Sequence, residues 1–403
     1  MATFASMRLA LGAALLAAAA VPAYAQQQQV PAWAVGREGS GMSPTLAPHA
    51  PKLTVTPENE LPINDLRVPD GFKIEVWAHG APGARMMAVG DRGTVFVGSR
   101  VIGRVYAISD EGGQRRVRII AQGLKQPNGI AFKDGALTVI AINQVLRWEG
   151  IEGKLDNPGQ PTDLTSAFNL PPEEHHGWKF AGFGPDGRLY TNVGVPCNVC
   201  EFDRDRYAIL VSFRPDGSDR RIEARGIRNS VGFDFHPATR ELWATNNGRD
   251  WAGNDVPEDT LHRVRRSGED HGFPFCVGDW NDPAVPRRAC SEFEQPAAKL
   301  GPHVAALGMR FYRGTGFGAE YENQIFIARR GSWNREKKSG YDVVVAKLDG
   351  QGRVTGIQPF LTGFLDASGE KFTGRPVDVQ QLQDGSLLVA DEQLGAIYRI
   401  SRR

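Results

Sequence analysis

The sequence predicts an all-β fold, a six-bladed β-propeller preceded by an extended N-terminal arm. Three observations carry that expectation. Short β-rich runs recur six times, each interrupted by Asp-Gly or a similar turn pair before a second strand resumes. After the first 25 residues, no helical periodicity of useful length appears between them. A strand–turn–strand unit with one further strand cannot bury both of its faces alone, so copies of it stack radially about an axis. A two-sheet sandwich would not need six copies of one turn pattern.

The elements follow in chain order. Arg8 precedes LALGAALLAAAAV, an apolar run too short to span a bilayer, and Ala23-Tyr24-Ala25 supplies the small-x-small pattern of a cleavage site. Residues 1–25 are therefore expected to be a signal peptide, with a periplasmic or secreted product and no membrane span after cleavage. Residues 26–66 are rich in Gln and Pro with little periodicity, which predicts an extended arm. The propeller is expected over 67–403. Its six units are 86–108, 128–148, 178–194, 230–248, 306–330 and 377–400. The stretch 71–80, GFKIEVWAHG, is expected to add a strand to the last blade and so close the ring, removing an exposed edge.

Composition bounds the function. Lys and Arg total 47 against 46 Asp and Glu, and loss of Arg8 with the leader leaves the rest neutral. Nothing in that balance steers the chain toward nucleic acid or an anionic membrane. Hydrophobic residues at 41% and charged residues at 23% fit a chain with a large core. The four cysteines, in an oxidising compartment, suggest disulfides with three possible pairings, of which the sequential Cys197–Cys200 and Cys276–Cys290 is preferred. Covalent haem attachment needs His after Cys-x-x-Cys, and position 201 is Glu. A four-thiolate zinc site is disfavoured by export and by the distance between the pairs.

Chemistry is expected in loops at one mouth of the central channel. Glu173-Glu174-His175-His176 precedes the third unit. An imidazole there suits a general base, a metal ligand or an ordinary loop role, and the residues alone leave all three open. Arg228-Asn229 opens the fourth unit and offers several donors for a carboxylate or quinone oxygen. Asn246-Asn247-Gly248-Arg249-Asp250, at the end of its hairpin, is oxygen-rich enough for a hard cation, although Asn-Gly also simply makes turns. Two cationic loops, Arg329 to Lys338 and Lys371 to Pro376, stand at successive blade entrances and suggest an anionic ligand; a solvated face is the competing reading.

The strings HHGWKFAGFGPDGRLY, GIRNSVGFDFHP, ATNNGRDWAGND, DHGFPFC, GSWNR and GRPVDV, in that order, resemble the sorbosone dehydrogenase branch of the soluble glucose/sorbosone dehydrogenase family. The resemblance covers about residues 67 to 400 and implies a six-bladed propeller that uses pyrroloquinoline quinone (PQQ) with Ca²⁺ to oxidise sugar aldehydes or aldoses. It implies His176 as the base, with His175 as the fallback, and Arg228 and Asn229 against the cofactor's reactive carbonyl. It also implies that backbone carbonyls of Gly248 and Arg249 hold calcium and that Arg375 faces PQQ. Arg335 and Lys337 are candidates for the family's fifth-blade lysine. Three departures stand out: Arg249 replaces a proline, Val377 replaces a second PQQ-facing arginine, and Val195 falls where an acidic residue supports the base.

The chemistry so implied is hydride transfer from the substrate to the quinone as His176 takes a proton, the electrons then leaving for a separate acceptor such as a quinone, a cytochrome or a dye. Two other classes remain open. A metal-dependent lactonase would use Asn246, Asn247 and Asp250 as ligands, and a non-catalytic binding propeller would have lost its cofactor.

Overall fold

The computed structural model describes residues 30–403. The expected signal peptide and the first residues of the arm lie outside the described residues. Six sheets of four or five strands account for almost all the regular structure, and the helical content described is one turn, Thr165–Phe168, with a few single 3₁₀ turns. The blades begin with Ala84–Val89, Gly129–Lys133, Ala181–Phe183, Phe233–Phe235, Ala306–Phe311 and Pro376–Gln381. Neighbouring first strands pack against one another, with blade 4 meeting blade 3 through Phe233 and Phe180 at a ring-centroid distance of 4.8 Å, and so ring the axis.

Close packing there demands glycine. A Cβ on Gly308 in blade 5 would stand 2.0 Å from Asp378 Oδ1 of blade 6. Asp378 is fully buried, and its other oxygen accepts a hydrogen bond from Met87 N of blade 1 at 2.8 Å. One carboxylate thus ties together three blades near the axis.

The ring closes as the sequence predicts. Phe72–Ala78 pairs antiparallel with Ala396–Arg402, from Phe72 opposite Arg402 to Ala78 opposite Ile397. The last blade is therefore built from both ends of the propeller. Phe72 is 2% exposed and packs against Phe317, Tyr321 and Phe360 with ring centroids 4.8 to 5.6 Å apart, an edge-on aromatic cluster that locks the added strand to blade 5.

Register decides where the functional loops go. In every blade the start of the first strand lies beside the end of the second: Ala84 opposite Ser99, Gly129 opposite Ile140, Ala181 opposite Thr191, Phe233 opposite Ala244, Ala306 opposite Arg329 and Pro376 opposite Asp391. The loops entering first strands and leaving second strands consequently share one mouth. The Asp-Gly turns between those strands fall on the opposite face.

Both disulfides have the sequential pairing. Cys197–Cys200 closes a loop after the second strand of blade 3. Cys276–Cys290 closes part of a long excursion inserted between the last two strands of blade 4.

Candidate active site

A cavity of about 390 Å³ opens at that mouth, lined from blades 1, 3, 4 and 5 and from the arm. A larger cleft of about 810 Å³ lies among the turns of the opposite face, where the charged residues are largely neutralised in mutual pairs such as Arg118 with Glu111 and Asp156. The mouth differs because its polar groups are left with capacity to spare. Asn229 Oδ1, Asn334 Oδ1, His175 Nε2 and Trp178 Nε1 are buried without hydrogen-bond partners, and a buried polar atom in that condition is costly unless something binds it.

His176 lines the cavity and is 6% exposed. Its backbone has φ +51°, a left-handed conformation that costs an ordinary residue about 1–3 kcal/mol and persists only when its surroundings impose it. Gly194 is one such surrounding: a Cβ there would come within 2.6 Å of His176 Cβ and 3.2 Å of Asn229 Oδ1. His176 Nδ1 lies 2.8 Å from Val195 O. A carbonyl only accepts, so Nδ1 carries the proton and Nε2 keeps the lone pair. Val195, one of the departures seen in the sequence, thus meets the imidazole with its backbone carbonyl. Burial, then the Arg228 and His175 charges, hold the His176 pKa well below the ordinary histidine value, leaving the ring neutral and able to accept a proton.

Arg228 also lines the cavity and is 1% exposed. It is fixed at three atoms: Nε donates to Asn198 O at 3.1 Å, Nη2 to Asn198 Oδ1 at 2.9 Å and Nη1 to Gly248 O at 2.9 Å. Asn198, inside the Cys197–Cys200 loop, also accepts from Asp250 N at 2.9 Å and donates to Asp250 O at 3.0 Å. The small disulfide loop therefore sets both Arg228 and the strand-end loop 246–250. Arg249 pairs with buried Asp282 at 2.8 Å, and Asp282 lies within the loop closed by Cys276–Cys290. An ion pair to a cross-linked loop thus anchors the residue that follows Gly248.

Further positive charge comes from residues that sequence reasoning missed or left inside a longer string. Arg85, Arg100 and Arg330 line the cavity. Arg85 and Arg330 both pair with Glu392, Arg85 at 2.7 Å. Burial opposes ionisation of Glu392, but Arg330, Arg85, Arg100 and Arg375 overcome this and hold its pKa far below the usual carboxylate range. One carboxylate is paired with two guanidinium groups and lies in the field of two more. Burial and then the neighbouring Arg85 charge push Arg100 down to about 9.

Not every predicted residue reaches the cavity. Arg375 is 1% exposed and sits behind the wall, donating to Gly331 O at 2.6 Å beneath Tyr341 and Phe372. Arg335 turns outward to Asn254 O and Asp255, and Lys337 is exposed. The Arg249 side chain points to Asp282, so only its backbone remains available to a cation. Val377 lies in the apolar core about the axis. A signal for these residues was present in the repeats. Arg100, Asn247, Arg330 and Glu392 each stand immediately after the second strand of their blade, so aligning the six units in phase picks them out.

The arrangement fits a polyanionic ligand. Arg85 and Arg330 share the one carboxylate of Glu392 with Arg100 close by, Arg228 lies 3.7 Å from Asp250, and orphaned amide oxygens and an imidazole stand beside them. It also fits a hard cation: Gly248 O, of whose two lone pairs Arg228 uses one, shares the cavity with Asp250 and the unpartnered Asn229 Oδ1.

Comparison with known proteins agrees with this picture. Residues 212–399 match the family described as Glucose / Sorbosone dehydrogenase. A protein of Borreliella burgdorferi, described as uncharacterized, is 31% identical over 353 residues, which is 83% of this chain and 90% of that protein. Among solved structures, the holo PQQ domain of pyranose dehydrogenase from Coprinopsis cinerea superposes with TM-score 0.69 at 18% identity, over 84% of this chain and 97% of that one. The PQQ-bound aldose sugar dehydrogenase from Streptomyces coelicolor gives 0.60 at 17%, over 84% and 100%. The apo-form of the soluble aldose sugar dehydrogenase from Escherichia coli gives 0.64 at 17%, over 82% and 100%. With the propeller, its six-blade register and the matched sequence together, the chain belongs to the glucose/sorbosone dehydrogenase family.

Proposed function

We propose that this chain is a quinoprotein oxidoreductase that oxidises a sugar aldehyde or aldose, sorbosone-like in class, at the mouth described above. The observation that carries the reading is the crowding of Arg85, Arg100, Arg228 and Arg330 around one cavity, with Arg85 and Arg330 both paired to the one carboxylate of Glu392 and Arg100 beside them. Such an excess of buried positive charge suits a ligand bearing several carboxylates.

Arg85, Arg100 and Arg330 would hold the carboxylates of PQQ, and Arg228 and Asn229 its quinone edge. The Gly248 carbonyl, with the backbone of Arg249 and the Asp250 carboxylate, would hold Ca²⁺. When bound, the pair supplies an electrophilic ortho-quinone polarised by a Lewis acid. His176 accepts the proton of the substrate hydroxyl, or of the hydrated aldehyde, at Nε2, because Val195 O already fixes the proton on Nδ1. Arg228 holds its planar donors in place through Asn198, so they need no reorganisation when charge develops beside them. Arg375 acts from behind the wall, orienting Arg330 and Gly331 through their carbonyls. Arg335 and Lys337 stay candidates for electrostatic attraction of the anion.

The two disulfides suit an oxidising compartment, and we place the enzyme in the periplasm or outside the cell. No helix among the described residues is long and apolar enough to cross a membrane. The electrons pass to a separate acceptor, a quinone, a cytochrome or, in an assay, a dye. Dye reduction with a panel of aldoses and sugar aldehydes tests the reading: turnover is expected only with PQQ, is abolished by EDTA and returns with Ca²⁺ and PQQ. Hydrolysis of a lactone without PQQ would instead favour a metal-dependent hydrolase.

A further inference from the structure

Part of the arm belongs to the cavity. Ala32, Trp33, Pro48 and His49 line it together with His176 and Arg330. Each end of this segment is fastened to a different part of the rim. Trp33 O accepts from Trp251 Nε1 of blade 4 at 2.7 Å, and its ring meets Trp333 of blade 5 edge-on at 5.9 Å. Trp333 meets Trp251 in turn at 5.6 Å, and Val35 O accepts from Asn198 Nδ2 at 3.2 Å. At the other end His49 packs on Phe372 at 4.7 Å, and its Nε2 lies 3.4 Å from the Tyr341 hydroxyl. Between them Ser43 N donates to Glu336 at 3.3 Å. Farther along, Thr56, Leu61 and Leu66 are buried, so the segment is also moored where it leaves the mouth.

Two consequences follow for a ligand. Trp33 and Trp333 are each only partly covered. A sugar ring has a face of C–H groups that packs on an aromatic ring and a rim of hydroxyls for the polar groups around it. A volume of about 390 Å³ is also near the lower end of ligand cavities, which run from roughly 300 to 1,000 Å³, and it has to admit cofactor and substrate together.

We propose that residues 32–49 form a fixed outer wall of the active site, with Trp33 as a sugar-packing surface, and that this wall admits a single sugar ring or open-chain sugar aldehyde and excludes disaccharides. The inference rests on the proposed function and adds to it a limit on substrate size set by a segment that precedes the propeller.

The test uses the full chain and two variants, Trp33→Ala and Trp33→Leu, the second keeping apolar bulk against Trp333. PQQ affinity is measured by spectrophotometric titration, and kcat and KM with one monosaccharide and a disaccharide built from it. PQQ affinity is expected to match the parent. KM for the monosaccharide is expected to rise about tenfold at little-changed kcat, and the disaccharide-to-monosaccharide ratio of kcat/KM to rise by about the same factor. Parental KM and parental ratio in both variants, with PQQ bound and sugar oxidised, overturn the wall and leave the proposed function standing. A parent that binds no PQQ overturns both. Loss of PQQ binding in both variants also overturns this inference, because the arm would then hold the cofactor rather than select the substrate.

Discussion

His176 shows how a few neighbours can fix a single residue. Its left-handed backbone, the close approach of Gly194 and the Val195 carbonyl together fix the ring and its tautomer. Replacing His176 by Ala should lower kcat by about 10²–10⁴ while PQQ still binds, as kinetics and a cofactor titration would show. Gly194→Ala should displace the ring without removing it, so kcat falls with the histidine intact. Because burial and Arg228 depress its pKa, His176 stays neutral as pH falls through 6.5. The acid limb of kcat/KM is therefore expected below pH 6.5 rather than at it. The sequence pointed to His176 and Arg228 through their motifs. It could not show the support for His176, because a carbonyl acceptor at Val195 depends on backbone direction and not on side-chain type. Nor could it show that Arg375 turns behind the wall, since that depends on the carbonyls of Arg330 and Gly331 that receive it.

At the scale of elements, the repeated turn pattern exposed the six blades, and the 71–80 stretch exposed the closing strand. Phe72→Ala should remove that strand's aromatic anchor and cost about 3–5 kcal/mol, measured by denaturant unfolding. The arm was legible only as a stretch without periodicity. Its course across the mouth depends on packing between Trp33 and residues some 220 to 300 positions away, which no local pattern encodes. The cysteine spacing suggested the disulfides but not their use. In the folded chain each cross-linked loop delivers one polar group to the site: Asn198 to Arg228, and Asp282 to Arg249. Asn198→Ala should accordingly lower kcat more than it lowers thermal stability, since it frees Arg228 and Asp250 together.

For the whole molecule, near-neutral total charge conceals a local cluster of guanidinium groups, and only folding brings Arg85, Arg100, Arg228 and Arg330 into one cavity. Burial also shapes the response to pH. Six histidines, His49, His175, His176, His236, His262 and His271, have folded-state pKa values below the ordinary one, mainly through burial. Below pH 6.5 the unfolded chain takes up protons there that the folded chain refuses, so stability falls as the pH is lowered. Asp259, Asp378 and Asp391, raised to about 6 by burial, act in the opposite sense, because their contribution is present below about 4 and is lost as pH rises through 6. The histidines outnumber them, and the midpoint of thermal unfolding is expected to drop between pH 6.5 and 4.

The proposal that this mouth grips a polyanionic quinone through charges delivered by separate blades meets its sharpest trial in a spectrophotometric titration. PQQ, with Ca²⁺ present, is added to the parent and to the Arg100→Ala and Arg330→Ala variants. Saturable one-to-one binding to the parent is expected, weakened at least tenfold in each variant because each removes a charge-assisted hydrogen bond to the anion. Equal affinity for all three proteins, or none for the parent, would refute the proposal.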